Sequence, residues 1–322
     1  MPVISPSSYT SPLRYLHNQH VETLVPSLLA TVSSVAYERE RLELPDGDFL
    51  DLDWIRNGNS QLVIMSAGME GNSDRHYMKR AAKYFSERGW DVLAWNYRGC
   101  SGELNRLAKF YSYADTTDFR AVINYGIEKE GYTRAALVGF SMGGCQVTKY
   151  LGEEPGPHPR IIASVSFSVS CNLKDSMEET EKPKNFIYNR YFVNKLKEKL
   201  QRKAALHAEI RSIPIEKIKA FDDYLRFYNI PFHHFKDAND FYAQSSCEQY
   251  IPSIRVPSLM VNALNDPMLG PQCYPYKAAE QNSFFYLETP KTGGHLGFSL
   301  ANSKNSWMEI RAYDFLLSRL NK

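Results

Sequence analysis

The chain has 322 residues, of which 38 are Lys or Arg and 36 are Asp or Glu, so its formal net charge at pH 7 is only +2. This balance gives no global electrostatic field that would draw the protein onto nucleic acid. Hydrophobic residues make up 43% of the chain and charged residues 23%, a composition that is ordinary for a globular protein and excludes a disordered one.

The first half of the chain predicts a β-hairpin followed by alternating strands and helices. Residues 35–44 and 49–55 alternate between apolar and polar side chains on either side of a P-D-G-D turn, which predicts the hairpin. Before it, the segment H-N-Q-H-V-E-T-L-V-P is expected to be a surface arm or a helix packed on the domain. Further strands are predicted at 62–65, 92–95 and 135–138, and helices at 77–88 and 117–128. This alternation favours an α/β protein whose mainly parallel central sheet is covered by helices on both faces.

The second half predicts a helical insertion between strands of the same sheet. A strand at 161–169 is followed by residues 171–250, which are rich in charged and aromatic side chains. A stretch of this length is not expected to be a plain loop. We therefore predict a helical cap at 171–250 inserted into a core made of residues 1–170 and 251–322. The core is predicted to resume with strands at 258–263 and 284–287 and helices at 275–281 and 307–320.

Within this predicted cap, helices are expected at 185–208 and 215–228, with Pro231 ending the second one. The basic stretch 195–203 is interrupted by leucines and a glutamate, so it is predicted to be a solvated helix face rather than a phosphate-binding patch. The many aromatic side chains of the cap have two interpretations. They either roof an apolar pocket for an acyl chain or pack the cap onto the core.

Residues 135–144, A-A-L-V-G-F-S-M-G-G, combine a buried-strand pattern with a tight turn that carries one serine. The turn matches the G-x-S-x-G nucleophile elbow, in which a strained serine stands between a strand and a helix. Bulky residues two positions before or after the serine would collide with the strand and the helix, which explains the glycines. We predict Ser141 as the nucleophile and the backbone N–H of Met142 as an oxyanion donor. The alternative is a glycine-rich structural turn.

A serine nucleophile needs two partners, a base and an acidic residue that orients the base. In folds with this elbow, the acid and then the histidine follow the serine along the chain. Asp266 follows a predicted core strand, and His295 lies in the loop T-G-G-H-L-G-F after the final strand, so both are expected at the carboxyl edge of the sheet. Asp175 is the alternative acid. The adjacent pair His233 and His234 completes no recognised metal spacing, and neither a metal nor a cofactor is predicted.

The loop 66–73, S-A-G-M-E-G-N-S, is expected to supply the second oxyanion donor. Gly68 lets the backbone approach the substrate, and the N–H of Met69 is the predicted donor. The alternative is an ordinary glycine-rich turn between a strand and a helix. Substrate contacts are predicted for Gly68 and for Phe140, the neighbour of the nucleophile. Ser101 follows a different strand, and Cys145 is expected to be a packed helix residue, so neither is predicted as a nucleophile.

The five cysteines are odd in number and form no C-x-x-C pair, which favours free thiols in a reducing compartment. No apolar run reaches the roughly 18 residues needed to span a bilayer. The beginning of the chain, M-P-V-I-S-P-S-S-Y, lacks the charged start and apolar centre of a signal peptide. We therefore expect a cytoplasmic protein without a transmembrane segment.

The chain carries together the segments R-L-E-L-P-D-G-D-F-L-D-L-D-W, N-Y-R-G-C-S-G-E-L-N-R, G-F-S-M-G-G, and F-D-D-Y followed by F-K-D-A-N-D-F-Y. Jointly they resemble the YheT-like family of α/β-hydrolases, and matching segments run from H-V-E-T-L-V-P to G-G-H-L-G-F. The resemblance implies an α/β-hydrolase fold and carboxylesterase-like activity, with Ser141 as nucleophile, Asp266 as acid and His295 as base. The family usually has His-Gly in the oxyanion loop, where this chain has Ala67-Gly68. A backbone donor survives that change.

The predicted function is hydrolysis of carboxylic esters, with short- to medium-chain or lipid acyl groups, through an acyl-enzyme on Ser141. Two alternatives stay open at this point. An acyltransferase would use the same acyl-enzyme but pass the acyl group to an alcohol or amine, and a non-catalytic binding protein would carry a vestigial triad. The expected partner is a small-molecule or lipid ester, and no nucleic acid.

Overall fold

The computed structural model describes residues 2–12, 18–29, 32 and 35–320. Its strands are β1 Val3–Ile4, β2 Glu38–Glu43, β3 Phe49–Ile55, β4 Gln61–Ser66, β5 Asp91–Trp95, β6 Arg134–Phe140, β7 Ile161–Phe167, β8 Ser258–Val261 and β9 Phe285–Glu288. Within the described residues they form one nine-stranded sheet in the order β1-β9-β8-β7-β6-β4-β5-β3-β2. Only the pairs β2–β3 and β3–β5 are antiparallel. The predicted hairpin and the mainly parallel sheet are confirmed.

Helices pack on both faces of the sheet, and further helices lie in the segment between β7 and β8 of the chain. They are α1 Gln19–Leu29, α2 His76–Ser86, α3 Thr117–Lys129, α4 Met142–Gly152, α5 Leu173–Glu181, α6 Phe186–Ala204, α7 Ala208–Arg211, α8 Phe221–Tyr224, α9 Ile230–His233, α10 Ala238–Ser245, α11 Tyr276–Gln281 and α12 Trp307–Leu320. The connections β4-α2-β5 and β5-α3-β6 run in opposite directions along the sheet, so right-handed crossovers place α2 and α3 on opposite faces. Tyr84 of α2 contacts Tyr313 of α12, and Phe119 of α3 contacts Tyr150 of α4.

The hairpin β2–β3 presents buried carboxylates where its alternating pattern would suggest a solvated face. Asp51 and Asp53 of β3 pair with Arg41 and Arg39 of β2 at 2.8 and 2.7 Å. The loop 96–106 covers this face and donates further hydrogen bonds to both carboxylates. The two long segments that carried the family resemblance therefore pack against each other as one structural unit.

Along the chain, helices α5 to α10 all lie in the segment that connects β7 to β8. In this segment the predicted end of a helix at Pro231 is wrong, because the chain stays helical from α8 through α9. A π-helical stretch, Leu225–Asn229, stands directly before the proline. A proline clashes with the carbonyl four residues earlier in an α-helix, and the wider π turn relieves this clash. The helix ends instead at His233, and the C-cap residue His234 has a left-handed φ of 60°.

The basic stretch of α6 also differs from its prediction. Lys199 and Lys203 are buried, with exposed fractions of 6% and 0%. Lys199 reaches Glu70, and Lys203 donates to the backbone and side-chain oxygens of Asn105. A solvated face is therefore wrong at these two positions, because oxygen atoms of the core partner both ammonium groups.

The five cysteines are free thiols, and four of them are buried. Over the part of the chain that the structure describes, no helix is both long enough and apolar enough to cross a membrane.

Candidate active site

Ser141 stands at the sharp turn between β6 and α4, with φ of 53° and ψ of −118°. Such a backbone conformation costs a non-glycine residue roughly 1–3 kcal/mol and occurs mostly at functional sites. A Cβ on Gly139 would lie 2.6 Å from the carbonyl oxygen of Gly143, and a Cβ on Gly143 would lie 2.3 Å from the carbonyl oxygen of Ser66. Glycine is therefore required on both sides of the serine, as the elbow pattern predicts.

The structure brings Ser141, Asp266 and His295 together. Along the chain, His295 lies 154 residues after Ser141 and 29 residues after Asp266. His295 Nε2 lies 3.1 Å from Ser141 Oγ, and His295 Nδ1 lies 2.9 and 3.1 Å from the two carboxylate oxygens of Asp266. The Asp266 side chain is fully buried and that of His295 is 8% exposed. A carboxylate beside Nδ1 favours the tautomer with the proton on Nδ1, which leaves Nε2 free to accept the serine proton.

The loop that carries His295, residues 293–297, is called the histidine loop below. Helix α1 holds it through hydrogen bonds to its backbone. Thr23 Oγ1 accepts the N–H of His295 at 2.9 Å, and Glu22 Oε2 accepts the N–H of Gly293 at 3.1 Å. Sequence reasoning did not assign a role to Glu22 or Thr23, although both belong to the H-V-E-T segment of the family resemblance.

The loop 66–73, the oxyanion loop below, approaches Ser141 from the end of β4. A Cβ on Gly68 would lie only 3.2 Å from Ser141 Cβ, and the N–H of Gly68 donates to the Tyr77 hydroxyl at 3.1 Å. The N–H groups of Met69 and Met142 donate to no other described residue. Met142 directly follows Ser141, and Met69 lines the same cavity as Ser141, so both N–H groups stay candidates for oxyanion donors.

Ala67 occupies the position where the family usually has His. Its carbonyl oxygen accepts a hydrogen bond from the Tyr97 hydroxyl at 2.8 Å, and that hydroxyl also lies 3.0 Å from Ser66 Oγ. Tyr97 therefore fixes the backbone of the oxyanion loop at the point where the histidine is missing.

A narrow cavity opens from Ser141 and His295 and has a volume of about 30 Å³. Its apolar lining comes from the oxyanion loop, from the segment 171–250 and from the loop that carries Asp266. The lining residues are Met69, Met177, Phe192, Val193, Phe221 and Met268. Phe140 does not line it. The Phe140 ring packs in the core, 4.9 Å from the ring of Tyr77 and 5.9 Å from that of Phe167.

The competing candidates have other partners. Asp175 accepts the N–H of Gln272 at 2.8 Å. Ser101 Oγ donates to Asp51, and the buried Cys145 thiol donates to the carbonyl of Ser170. The His233 ring stacks on Phe235, with 6.2 Å between the ring centroids. Within the described ranges, no three His, Cys, Asp or Glu side chains are grouped so that they could hold a metal ion.

The parallel sheet, the elbow and the contact of serine, histidine and carboxylate together define an α/β-hydrolase. Residues 58–281 match the family model Hydrolase_4, described as serine aminopeptidase, S33. The chain is 30% identical to Escherichia coli (strain K12) YheT, a protein that carries a provisional esterase name, over 98% of this chain and 95% of that protein. The chain therefore belongs to the YheT-like family of α/β-hydrolases.

More distant relatives carry lipase names. The human phospholipase ABHD3 is 26% identical over 92% of this chain and 75% of its own length. The human monoacylglycerol lipase ABHD2 is 24% identical over 90% of this chain and 74% of its own. Among solved structures, an esterase of Pyrococcus furiosus, PF2001, superposes with a TM-score of 0.61 at 17% identity, covering 90% of this chain and 96% of that one. This last likeness shows the shared fold.

Proposed function

We propose that the protein hydrolyses carboxylic esters through an acyl-enzyme on Ser141. The observation that carries the proposal is the 3.1 Å contact between Ser141 Oγ and His295 Nε2, with the Asp266 carboxylate behind the imidazole. This distance is within the hydrogen-bonding reach that a general base requires. The esterase and lipase names of the relatives support the same class of reaction.

In the acylation step, Ser141 Oγ attacks the ester carbonyl carbon while His295 Nε2 takes the serine proton. Asp266 stabilises the imidazolium that forms and keeps it oriented. The N–H groups of Met69 and Met142 donate to the oxyanion of the tetrahedral intermediate. The intermediate collapses when His295 gives its proton to the leaving alkoxide, which departs as an alcohol.

In the deacylation step, a water molecule attacks the acyl carbonyl while His295 accepts one of its protons. The second intermediate expels Ser141 Oγ, which regains its proton from the imidazolium. The carboxylic acid leaves and the free enzyme is restored. Hydrolysis thus consumes one water and needs no cofactor.

We further propose that residues 171–250 act as a cap over the acyl group of a short- to medium-chain or lipid ester. The support is the apolar lining that this segment gives the cavity. The cavity is small, at about 30 Å³, and we expect the flexible Met177 and the Phe192 side chains to move when an acyl chain enters. Turnover of p-nitrophenyl esters from acetyl to decanoyl is expected to depend on chain length. Equal rates along the series would contradict a shaped acyl pocket.

The central test is labelling with a fluorophosphonate probe, which reacts with an activated serine. The wild-type protein is expected to be labelled and Ser141→Ala is not, and the same variant should lose about 10⁶-fold in kcat. An unlabelled wild-type protein, or full ester turnover by Ser141→Ala, would overturn the proposal. Product analysis with added alcohols then separates hydrolysis from acyl transfer, since a transferase would form a new ester.

A further inference from the structure

Glu70 directly follows the proposed oxyanion donor Met69 and has a left-handed backbone, with φ of 55°. Hydrogen bonds hold the two peptide units on either side of its Cα. The N–H of Glu70 donates to the Tyr111 hydroxyl at 2.9 Å, and its carbonyl oxygen accepts from Arg75 Nη2 at 3.0 Å. A non-glycine residue keeps such a conformation only where its surroundings impose it.

The Glu70 side chain is held as firmly as its backbone. Its carboxylate accepts hydrogen bonds from the Tyr111 hydroxyl and from Lys199 Nζ, both at 2.6 Å. The side chains of Glu70 and Lys199 are 6% and 7% exposed. Lys199 Nζ also lies 3.0 Å from Cys100 Sγ and 5.1 Å from the centre of the Phe110 ring. Lys199 belongs to α6, so a buried ion pair connects the segment 171–250 to the oxyanion loop.

We propose that Glu70 and Lys199 are positioning residues for the oxyanion hole. The ion pair holds the Glu70 side chain and, through it, the backbone next to Met69, whose N–H is the proposed oxyanion donor. The inference rests on the proposed function, since it takes Met69 as an oxyanion donor. It assigns α6 a second role. Besides lining the cavity next to Ser141, this helix would support the oxyanion hole.

A simpler role for Lys199 would be to hold α6 on the core. Lys203 provides a matched control for this role, because it lies one turn further along α6 and is completely buried. Its ammonium group donates to Asn105, at the backbone oxygen and at Oδ1, in the loop 96–106. This contact fastens the same helix to the core but does not reach the oxyanion loop.

The experiment compares Lys199→Met, the double variant Glu70→Gln with Lys199→Met, and Lys203→Met. The double variant matters because removing one partner alone leaves a buried unpaired charge that could unfold the protein. For each variant, kcat and KM are measured with an ester and with the matching thionoester. Sulfur is a weak hydrogen-bond acceptor, so turnover of the thionoester depends little on the oxyanion donors.

For the double variant, kcat with the ester is expected to fall by up to about 10²-fold, the lower range for losing one oxyanion donor. KM should stay within about twofold, and the ratio of ester to thionoester turnover should fall with kcat. Lys203→Met should keep the wild-type kcat and ratio, even where its thermal midpoint is lower.

Two results would overturn the inference. One is a folded double variant with wild-type kcat and wild-type ester-to-thionoester ratio. The other is an equal loss of kcat in Lys203→Met, which would assign the effect to the general docking of α6. Either result leaves the proposed function standing, because that proposal fails only if Ser141→Ala retains turnover or the wild-type protein escapes the fluorophosphonate probe.

Discussion

The oxyanion loop and the histidine loop face each other across Ser141, and each is supported by a helix that lies outside the sheet. The oxyanion loop is held by α6 through the long side chains of Glu70 and Lys199. The histidine loop is held by α1 through close backbone contact. A Cβ on Gly297 would lie 2.1 Å from the carbonyl oxygen of Glu22, so the two backbones touch with no side chain between them.

The two supporting helices therefore differ in how they reach their loops. Helix α6 contacts the oxyanion loop through two long side chains, whereas α1 packs its backbone directly on the histidine loop. The segment 171–250 lines the cavity beside Ser141 through Met177, Phe192 and Phe221. His295 therefore lies on the side where backbone packs directly against backbone.

The largest effect is expected when α1 is pushed away from the histidine loop. Gly297→Ala places a methyl group against the Glu22 carbonyl, and the loop or the helix must shift to make room. Because a displacement of about 1 Å can cost 10²-fold in rate, kcat is expected to fall by roughly that factor. Gly131→Ala serves as a control for strain without a clash, because a Cβ there meets nothing within 4 Å but the left-handed φ of 68° strains an alanine. It should lower the thermal midpoint and leave kcat unchanged. Wild-type kcat in a folded Gly297→Ala protein would contradict the rigid contact.

A smaller effect is expected from Thr23→Val, which has nearly the same shape but no acceptor for the His295 N–H. An unpaired buried N–H costs about 1–3 kcal/mol, and we expect about a tenfold loss of kcat as the histidine loop relaxes. Thr23→Ser keeps the hydroxyl and should retain most of the activity. If the Val and Ser variants have equal kcat, the Thr23 hydrogen bond does not hold the base.

Glu22→Gln should have a weaker effect again. Glu22 Oε2 accepts hydrogen bonds from the N–H of Gly293 and from Asn265 Nδ2, and Asn265 is the neighbour of Asp266. Glutamine keeps an oxygen acceptor but loses the charge, and charge-assisted hydrogen bonds are roughly twice as strong as neutral ones. We expect a loss of kcat within about threefold and a lower thermal midpoint. A thermal midpoint equal to that of the wild type would show that the charge of Glu22 contributes nothing.

The features of the site that could be predicted from the sequence are those formed by residues close together in the chain. The elbow around Ser141 is encoded in five consecutive residues, and the strands near it have patterns that indicate a sheet. The expectation that Asp266 and His295 meet at one sheet edge needs only the order of strands and loops. By contrast, β1 has two residues, too few for a pattern.

The supporting contacts could not be predicted because they join residues that are far apart in the chain. Thr23 and His295 are 272 residues apart, and Glu70 and Lys199 are 129 apart. A lysine in a basic helical stretch suggests a solvated face unless its partner is known. The single signal for the α1 contact was the H-V-E-T segment, whose match to a family indicates importance without indicating a role.

The two buried lysines of α6, Lys199 and Lys203, differ in the direction in which their pKa values are shifted. Burial lowers the pKa of Lys203 to about 8, since the nearby Asp48 carboxylate only partly offsets it and the positive charge of Lys199 lowers it further. Burial also acts against a charged Lys199, but Cys100 and Glu70 outweigh it, and the pKa of Lys199 lies above its ordinary value. The pKa values of the two lysines on α6 are therefore shifted in opposite directions.

Between pH 8 and the ordinary lysine pKa of 10.5, the unfolded chain keeps the Lys203 proton that the folded protein has released. Raising the pH through this window therefore favours folding. Relative to Lys203→Met, the wild-type protein should gain stability from pH 7.5 to pH 10, measured as the free energy of unfolding in urea. Subtracting the variant removes the titration of tyrosines and cysteines common to both. A difference that stays constant over this range would mean that the pKa of Lys203 is not lowered in the folded protein.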